Sequence, residues 1–365
     1  MGEALALRHV QKRYGQVWAV HDTCIKIEAG EFVSIVGPSG SGKTSLLTMI
    51  AGFKAPTAGS IHVGDEDVTR VAPNHRNIGI VFQKYALFPH MTVRENVEFP
   101  LRMRHLAKGG AARQRVDTML DLVQLQAFRD RYPHELSGGQ QQRVAVARAL
   151  VFDPPVILMD EPLGALDKKL RENMQIEIKQ IQERIGATVI YVTHDQEEAL
   201  TMSDRVAVMH GGRLEQIGTP RELYSRPASA FIADFVGTIN FLDGHVEDVS
   251  GADLRVAIGR HLITLQPANL VSARYPSRGS PVRIGVRPEH LRVQSGREEG
   301  GGSLLATVET LIFAGASRTA IVHVAGLTEQ YLRVALTGQD GPVPLRGDRL
   351  SLQVEPQSVL LYSQS

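Results

Sequence analysis

The sequence predicts a parallel α/β domain over residues 1–237 followed by a small all-β, barrel-like domain over residues 238–365, on three observations. An apolar run, Phe32-Val33-Ser34-Ile35-Val36, passes through a glycine cluster into a helix-like segment at 45–50. A second apolar strand, Val156-Ile157-Leu158-Met159, is separated from a third at 187–193 by residues 168–184, where Met174, Ile178 and Ile181 have the spacing of an amphipathic helix laid on a sheet. From 238 onward the chain changes to short alternating apolar runs broken by Gly, Pro and Asp.

In order along the chain, residues 4–36 read as short strands joined by polar turns, and 60–63 and 78–82 as further β segments. Residues 84–150 have helical texture with breaks at 108–110 and at Tyr132-Pro133, which sets them apart as a helical subdomain. Helical texture fades after Arg221, near Phe235-Val236-Gly237. Residues 297–303 have the composition of an exposed loop, and the β texture on both sides of it permits two similar halves.

Composition excludes several classes. Hydrophobic residues at 43% and charged residues at 22% are ordinary globular usage, and 365 residues are enough for two or three domains. The 40 basic and 39 acidic residues leave a formal charge of +1, which supplies no global field for nucleic acid or anionic lipid. A bilayer span needs roughly 20 mainly apolar residues in succession, and the apolar runs here are far shorter. The first residues also lack the apolar block of a secretory signal. The lone Cys24, beside Ile25, is expected to be buried filler in a reducing cytosol.

The glycine cluster carries the chemistry. Gly37-Pro38-Ser39-Gly40-Ser41-Gly42-Lys43-Thr44 matches the full phosphate-loop pattern in the required strand–turn–helix context. Such glycines let backbone N–H groups and a helix N-terminus face phosphates, Lys43 adds a mobile positive charge, and Thr44 offers a hydroxyl to magnesium. Asp160, closing an apolar strand, suits the magnesium side, and Glu161 beside it suits the polarisation of an attacking water. Gln83 and His194 also follow strands, where the Gln83 amide serves both magnesium and the attacking water and the His194 imidazole reaches a γ-phosphate or that water, although either residue alone is more often structural.

Beyond these residues stands Leu136-Ser137-Gly138-Gly139-Gln140. With it, residues 4–237 resemble the ATP-binding subunit of an ABC transporter. The resemblance implies a P-loop NTPase fold of ABC type, ATP and Mg2+ as cofactors, and a head-to-tail dimer of two copies. In that dimer Ser137, Gly138, Gly139 and Gln140 of one copy close over the phosphate loop of the other. It further implies that Tyr14 stacks on adenine and that Gln83 couples catalysis to membrane subunits. Asp160 and Glu161 correspond to the magnesium-side aspartate and the catalytic glutamate, His194 to the switch histidine, and Asp167, in Leu163-Gly164-Ala165-Leu166-Asp167, to a residue communicating between sites. Relatives often carry serine at position 164; glycine there implies a lost hydroxyl contact rather than lost activity.

Gly285-Val286-Arg287-Pro288-Glu289 resembles the GxRPE segment of the C-terminal oligonucleotide-binding-like (TOBE) domain of importers for polyamines, ferric iron, sulfate and sugars. Together with Phe99-Pro100-Leu101-Arg102 and Gly237-Thr238-Ile239-Asn240, it is most similar to the spermidine/putrescine group. The partners implied are two membrane permease subunits, docked around residues 83–98, and indirectly an extracytoplasmic solute-binding protein. That places the chain at the cytoplasmic face of the membrane, with no nucleic acid partner. Ferric iron, sulfate or sugar import is the alternative. A repair or translation ATPase is disfavoured because the chain has neither a long inserted coiled coil nor a second motor domain, and a non-catalytic scaffold because Lys43, Glu161 and His194 are intact.

Overall fold

Parallel strand neighbours in this chain are joined by helical crossovers, whereas most antiparallel neighbours follow one another in sequence. The computed structural model describes residues 2–106, 110–164, 166–250, 253–265, 270–271, 276–294, 303–315, 317–327, 331–336 and 343–363. They divide into two units, Met1–Arg221 and Glu222–Ser365. Of the expected break at 108–110 only Gly110 is described, and of the expected loop at 297–303 only Ser303; Ala165 also lies outside the described residues.

The strands of the first unit are β1 (Leu5–Tyr14), β2 (Val17–Ile27), β3 (Phe32–Val36), β4 (Ala58–Val63), β5 (Glu66–Asp67), β6 (Ile78–Val81), β7 (Val156–Asp160), β8 (Thr188–Val192), β9 (Arg205–His210) and β10 (Arg213–Gly218). Four of them form an antiparallel sheet in the order β2-β1-β4-β5, and six form a second sheet in the order β10-β9-β3-β8-β7-β6. The second sheet is parallel except at its β9–β10 edge. Its inner strands β3, β7 and β8 bury both faces, so they read as continuous apolar runs rather than alternating ones. Along β7, Ile157 and Met159 enter one core and Val156 and Leu158 the other; β8 divides in the same way, with Val189 and Tyr191 opposite Ile190 and Val192.

Among the described residues this unit also has the α-helices α1 (Lys43–Ile50), α2 (Val93–Met103), α3 (Gly110–Leu122), α4 (Gly138–Leu150), α5 (Lys168–Ile185) and α6 (Gln196–Met202). As expected, α5 buries Met174 and Ile178, with Ile181 partly covered. The helical subdomain is α2 to α4, in which α2 packs against both α3 and α4 through Val93, Val97 and Leu101, spaced four apart on one face. A short turn at Pro133–Glu135 marks the expected break before α4. No helix among the described residues is long and apolar enough to cross a membrane.

Cys24 corrects one expectation, because it is exposed. On β2, Thr23 and Ile25 point inward, and successive side chains of a strand face opposite ways, so burial of Ile25 excludes burial of its neighbour.

After α7 (Pro220–Ser225), which spans the division, the described residues of the second unit form α8 (Ala230–Phe235) and ten strands: β11 (Asn240–Ser250), β12 (Asp253–Ile258), β13 (His261–Leu265), β14 (Pro281–Val286), β15 (Leu291–Gln294), β16 (Ser303–Ala314), β17 (Ser317–Val324), β18 (Tyr331–Ala335), β19 (Arg349–Val354) and β20 (Val359–Ser363). They form two five-stranded antiparallel sheets, β13-β12-β11-β14-β20 and β15-β19-β16-β17-β18. Both sheets feed one apolar core. The two sheets are not consecutive halves of the chain, since the last strand, β20, returns to pair with β14.

The unit begins earlier than the 237/238 junction read from the sequence, and Arg287 supplies a reason. Only 2% exposed, its Nη1 donates to the carbonyls of Ala233 (2.8 Å), Gly237 (2.8 Å) and Thr238 (3.1 Å), and its Nη2 to that of Tyr224 (3.3 Å). The guanidinium lies 4.1 Å from the Tyr224 ring centroid, and the Tyr224 hydroxyl bonds Glu289. One buried cation thus ties α8 and the 237–240 segment to the end of β14. Arg287→Met should leave these carbonyls unpaired at a local cost of about 3 kcal/mol. Hydrogen exchange on the full chain should then show α8 and β14 amides exchanging about a hundredfold faster.

Candidate functional site

Parallel register brings the carboxyl ends of four strands to one edge. Ile35 of β3 is level with Val192 of β8, Val192 with Asp160 of β7, and Met159 with Val81 of β6. The residues that follow are therefore Gly37, His194, Glu161 and Gln83, and a crevice outside strand ends is where open α/β sheets bind ligands.

The phosphate loop is shaped by contacts that only glycine permits. A Cβ at Gly37 would lie 2.1 Å from the Met209 carbonyl oxygen, and one at Gly42, where φ is +100°, 2.3 Å from that of Ala19. Gly42 precedes α1, so Lys43 and Thr44 open the helix. The buried Lys43 Nζ donates to the carbonyls of Gly37 (2.7 Å) and Pro38 (3.0 Å), with the Ser41 hydroxyl at 3.5 Å. Ser39, Gly40 and Thr44 are exposed on the outer side of the loop. Burial lowers the Lys43 ammonium, against the pull of Glu161 and Asp160. Burial likewise raises the Asp160 carboxyl, which Glu161 pushes further up and Lys43 pulls down.

Glu161 gathers the remaining groups. Its Oε2 accepts from Gln83 Nε2 at 3.0 Å and its Oε1 lies 3.1 Å from His194 Nδ1. Its backbone stands at φ +44°, in a region sparsely used by non-glycine residues, and its N–H donates to the Val192 carbonyl at 2.8 Å. A Cβ at Gly164 would come 3.8 Å from Gln83 Nε2, so a serine there would extend toward that amide, and its absence leaves the Gln83–Glu161 bond in place. The loop after Gln83 is tied down by Asn96, which bonds Phe88, Met91 and Thr92, and by Arg148, which donates to the carbonyls of Tyr85 and Ala86. In that loop Tyr85 is buried and Leu87 half-buried, leaving Ala86, Pro89 and His90 exposed.

Three expected site elements stand apart from this cluster. Tyr14 ends β1 and is 45% exposed, with Lys12 Nζ 5.0 Å from its ring centroid. Ser137 caps α4 in a reciprocal pair with Gln140, each accepting from the other's backbone N–H. Gly138 is exposed, and a Cβ on Gly139 would press within 3.2 Å of Leu170, so the first turn of α4 is open on one side and fitted to α5 on the other. Asp167 caps α5 by accepting from Leu170 N–H at 3.0 Å.

Sequence reading missed a buried carboxylate beneath these loops. Glu198 accepts from the hydroxyls of Tyr191 (2.8 Å) and Thr193 (2.7 Å) and faces Arg171 Nε at 3.7 Å. Arg171 also pairs with Asp195 (3.2 Å) and donates to the Leu166 carbonyl (3.0 Å). This network joins the segment before Asp167 to those flanking His194. The available signal was Asp195, an N-cap with Glu197 and Glu198 in the first helical turn, but nothing local distinguishes the buried acid from its exposed neighbour.

The model of the family described as ABC transporter matches residues 20–164, and that of the TOBE domain matches residues 284–361. The chain is 50% identical over 322 residues to the spermidine/putrescine import ATP-binding protein PotA of Rubrobacter xylanophilus, covering 88% of this chain and 83% of the relative. It is 45% identical over 359 residues to PotA of Acidothermus cellulolyticus, covering 97% and 92%. Among solved structures, the dimeric post-hydrolysis state of the ATP-binding cassette MJ0796 bound to ADP and Pi is 38% identical with a TM-score of 0.53, covering 59% of this chain and 98% of that one.

The raised Asp160 carboxyl sets a pH-dependent cost. The folded state holds this proton more tightly than the unfolded chain, so stability falls as pH rises from the ordinary value of 3.8 through the raised one. Asp160→Asn should therefore melt a few degrees above the parent near neutral pH, with the gain disappearing as pH falls below 3.8. Melting curves at both ends of that range measure it; a variant no more stable than the parent near neutrality would refute it.

Proposed function

The chain belongs to the family of ABC-transporter ATP-binding subunits of spermidine/putrescine import, and from that premise we propose that it hydrolyses ATP to drive polyamine uptake through separate membrane permease subunits. The observation that carries the hydrolytic part is Glu161, held between Gln83 and His194 beside the phosphate loop.

The residues present fit ATP with magnesium. The loop is kept open for phosphate by glycines at close backbone approaches, and Thr44, Asp160 and Gln83 form the hard oxygen donor set that magnesium prefers. Of the two adjacent carboxylates, Asp160 is raised first by burial and then by Glu161, so both would gain from a cation nearby. Bound there, magnesium would supply neutralisation of charge on the phosphate oxygens. The chain's own groups do the rest. Lys43 turns its ammonium from the loop carbonyls toward phosphate oxygens, and Glu161 orients a water and takes its proton. The water oxygen bonds the γ-phosphorus as the bridge to the β-phosphate breaks, giving ADP and phosphate. The Gln83 and His194 bonds to both carboxylate oxygens keep Glu161 in place through this step.

The second phosphate clamp comes from another copy. Ser137, Gly138, Gly139 and Gln140 stand at the open first turn of α4, where backbone N–H groups and the positive end of the helix suit an anion. Facing the phosphate loop of a second chain head to tail, they make ATP part of the interface, so nucleotide binding favours closure and hydrolysis favours reopening. Tyr14, exposed at the end of β1, supplies an aromatic face for adenine. The exposed side of the loop after Gln83 is the docking surface for the permease, which holds this peripheral subunit at the cytoplasmic face of the membrane. A solute-binding protein on the other face delivers the polyamine.

Glu161→Gln should keep ATP binding and lower hydrolysis by about a hundredfold or more, with the closed dimer accumulating in mass measurements. Parent-level turnover would remove Glu161 from the general-base role. Lys43→Ala should instead impair nucleotide binding or phosphate positioning, and unchanged binding and turnover would defeat that assignment. The solute is tested by reconstituting the chain with its permease and binding protein and comparing spermidine, putrescine, ferric iron, sulfate and maltose. Stimulation by polyamines alone supports the proposal, whereas stimulation by another solute keeps the motor and overturns the cargo.

A further inference from the structure

Outside the phosphate-loop site, the described residues contain a cluster of mixed donors on the antiparallel sheet: His9, Asp22 and Cys24, with one nitrogen, one oxygen and one sulfur atom all within 4.8 Å of one another. His9 Nδ1 lies 3.1 Å from Asp22 Oδ1 and 3.2 Å from Oδ2, and Cys24 Sγ accepts from the His9 backbone N–H at 3.2 Å. We infer that His9, Asp22 and Cys24 form a three-ligand site for a borderline divalent transition metal of the Zn2+ class on the outer face of β1 and β2.

The placement follows from the strand pairing. Between Leu7, opposite Ile25, and Val10, opposite Thr23, the register shifts, so Arg8 and His9 both face outward instead of alternating. This is a β-bulge, which re-aims a side chain. His9 has φ +52°, and on the other flank a Cβ at Gly59 would meet the His9 carbonyl oxygen at 2.2 Å, so glycine in β4 makes room for the bulge. Asp22 and Cys24, two residues apart on β2, share one face. The three donors therefore come from a braced strand pair and not from loops.

The donor chemistry selects the ion. Imidazole, thiolate and carboxylate together suit Zn2+ or Co2+ and not the hard ions Mg2+ and Ca2+, which take oxygen. Bonds of about 2.0 Å from zinc to nitrogen and oxygen put those two ligands about 3.3 Å apart at tetrahedral angles, close to the observed separation of 3.1 Å. Sulfur needs only a side-chain adjustment to reach the same centre. Binding exchanges the proton between Nδ1 and the carboxylate for the metal, with the imidazole proton moving to Nε2 and the thiol proton released to solvent. Three protein ligands leave one position for water, the arrangement of an open site. At 74% and 55% exposure, the His9 and Asp22 side chains are open to the medium.

The composition makes the test specific. The chain has 13 histidines, any of which could bind metal weakly, but a single cysteine, so a thiolate-to-cobalt charge-transfer band reports Cys24 alone. The full chain, free of nucleotide and with Mg2+ in excess, should develop this band on Co2+ titration at one ion per chain and lose it on addition of Zn2+. Cys24→Ser should abolish the band, and His9→Ala and Asp22→Asn should each weaken Co2+ binding by about tenfold or more. Because these side chains are exposed, all three variants should melt with the parent when metal-free. No band at a large excess of Co2+, or a loss of less than tenfold in His9→Ala or Asp22→Asn, overturns the three-ligand site. Neither result bears on ATP hydrolysis, so the site and the proposed function fail separately.

Discussion

A parallel sheet buried on both faces exposes chemistry only at its strand ends, and the candidate site depends on that constraint. The apolar side chains of β7 and β8 are committed to one or other core, so the candidate groups Gln83, Glu161 and His194 stand just past the last paired residues. Level register across β6, β7, β8 and β3 then places Gln83, Glu161, His194 and the phosphate loop in one row. Burial at that edge also has an electrostatic cost. Lys43 and Asp160 are both shifted toward their neutral forms by desolvation, a state that favours opposite charges brought in by a ligand and its cation.

Beneath this edge, rigidity comes from polar groups that are paired although buried. Glu198 satisfies Tyr191 and Thr193 and stands against Arg171, which in turn holds the Leu166 carbonyl. Burial raises the Glu198 carboxyl while its two hydroxyl donors pull it down. The segments around Asp167 and His194 are therefore braced by one network, so motion of either is felt by the other. Arg287 plays a comparable part in the second unit, where one buried guanidinium collects carbonyls from three chain segments.

Much of the fold was legible because it is local. The change of period at the glycine cluster, the apolar spacing of α5 and the break before α4 each depend on residues within one or two helical turns. The β texture after 238 was equally plain, but its topology was not, because the return of β20 to β14 leaves no mark in either strand. The exposure of Cys24 was not legible from its apolar neighbour Ile25, because adjacent residues of a strand face opposite ways and the sheet buries the face that carries Ile25.

By itself the sequence determined the chemistry available. The phosphate loop, the paired acids, the Leu136–Gln140 motif and the GxRPE segment are contiguous, and short-range backbone geometry decides what contiguous residues can do. Only the tertiary structure decided which of them meet. Gln83 and Glu161 are 78 positions apart in the chain yet share a hydrogen bond, and His9 reaches Asp22 and Cys24 because a bulge shifts one strand against its neighbour. Such encounters depend on strand order and register, which are set by burying whole faces together and are not encoded at any single position.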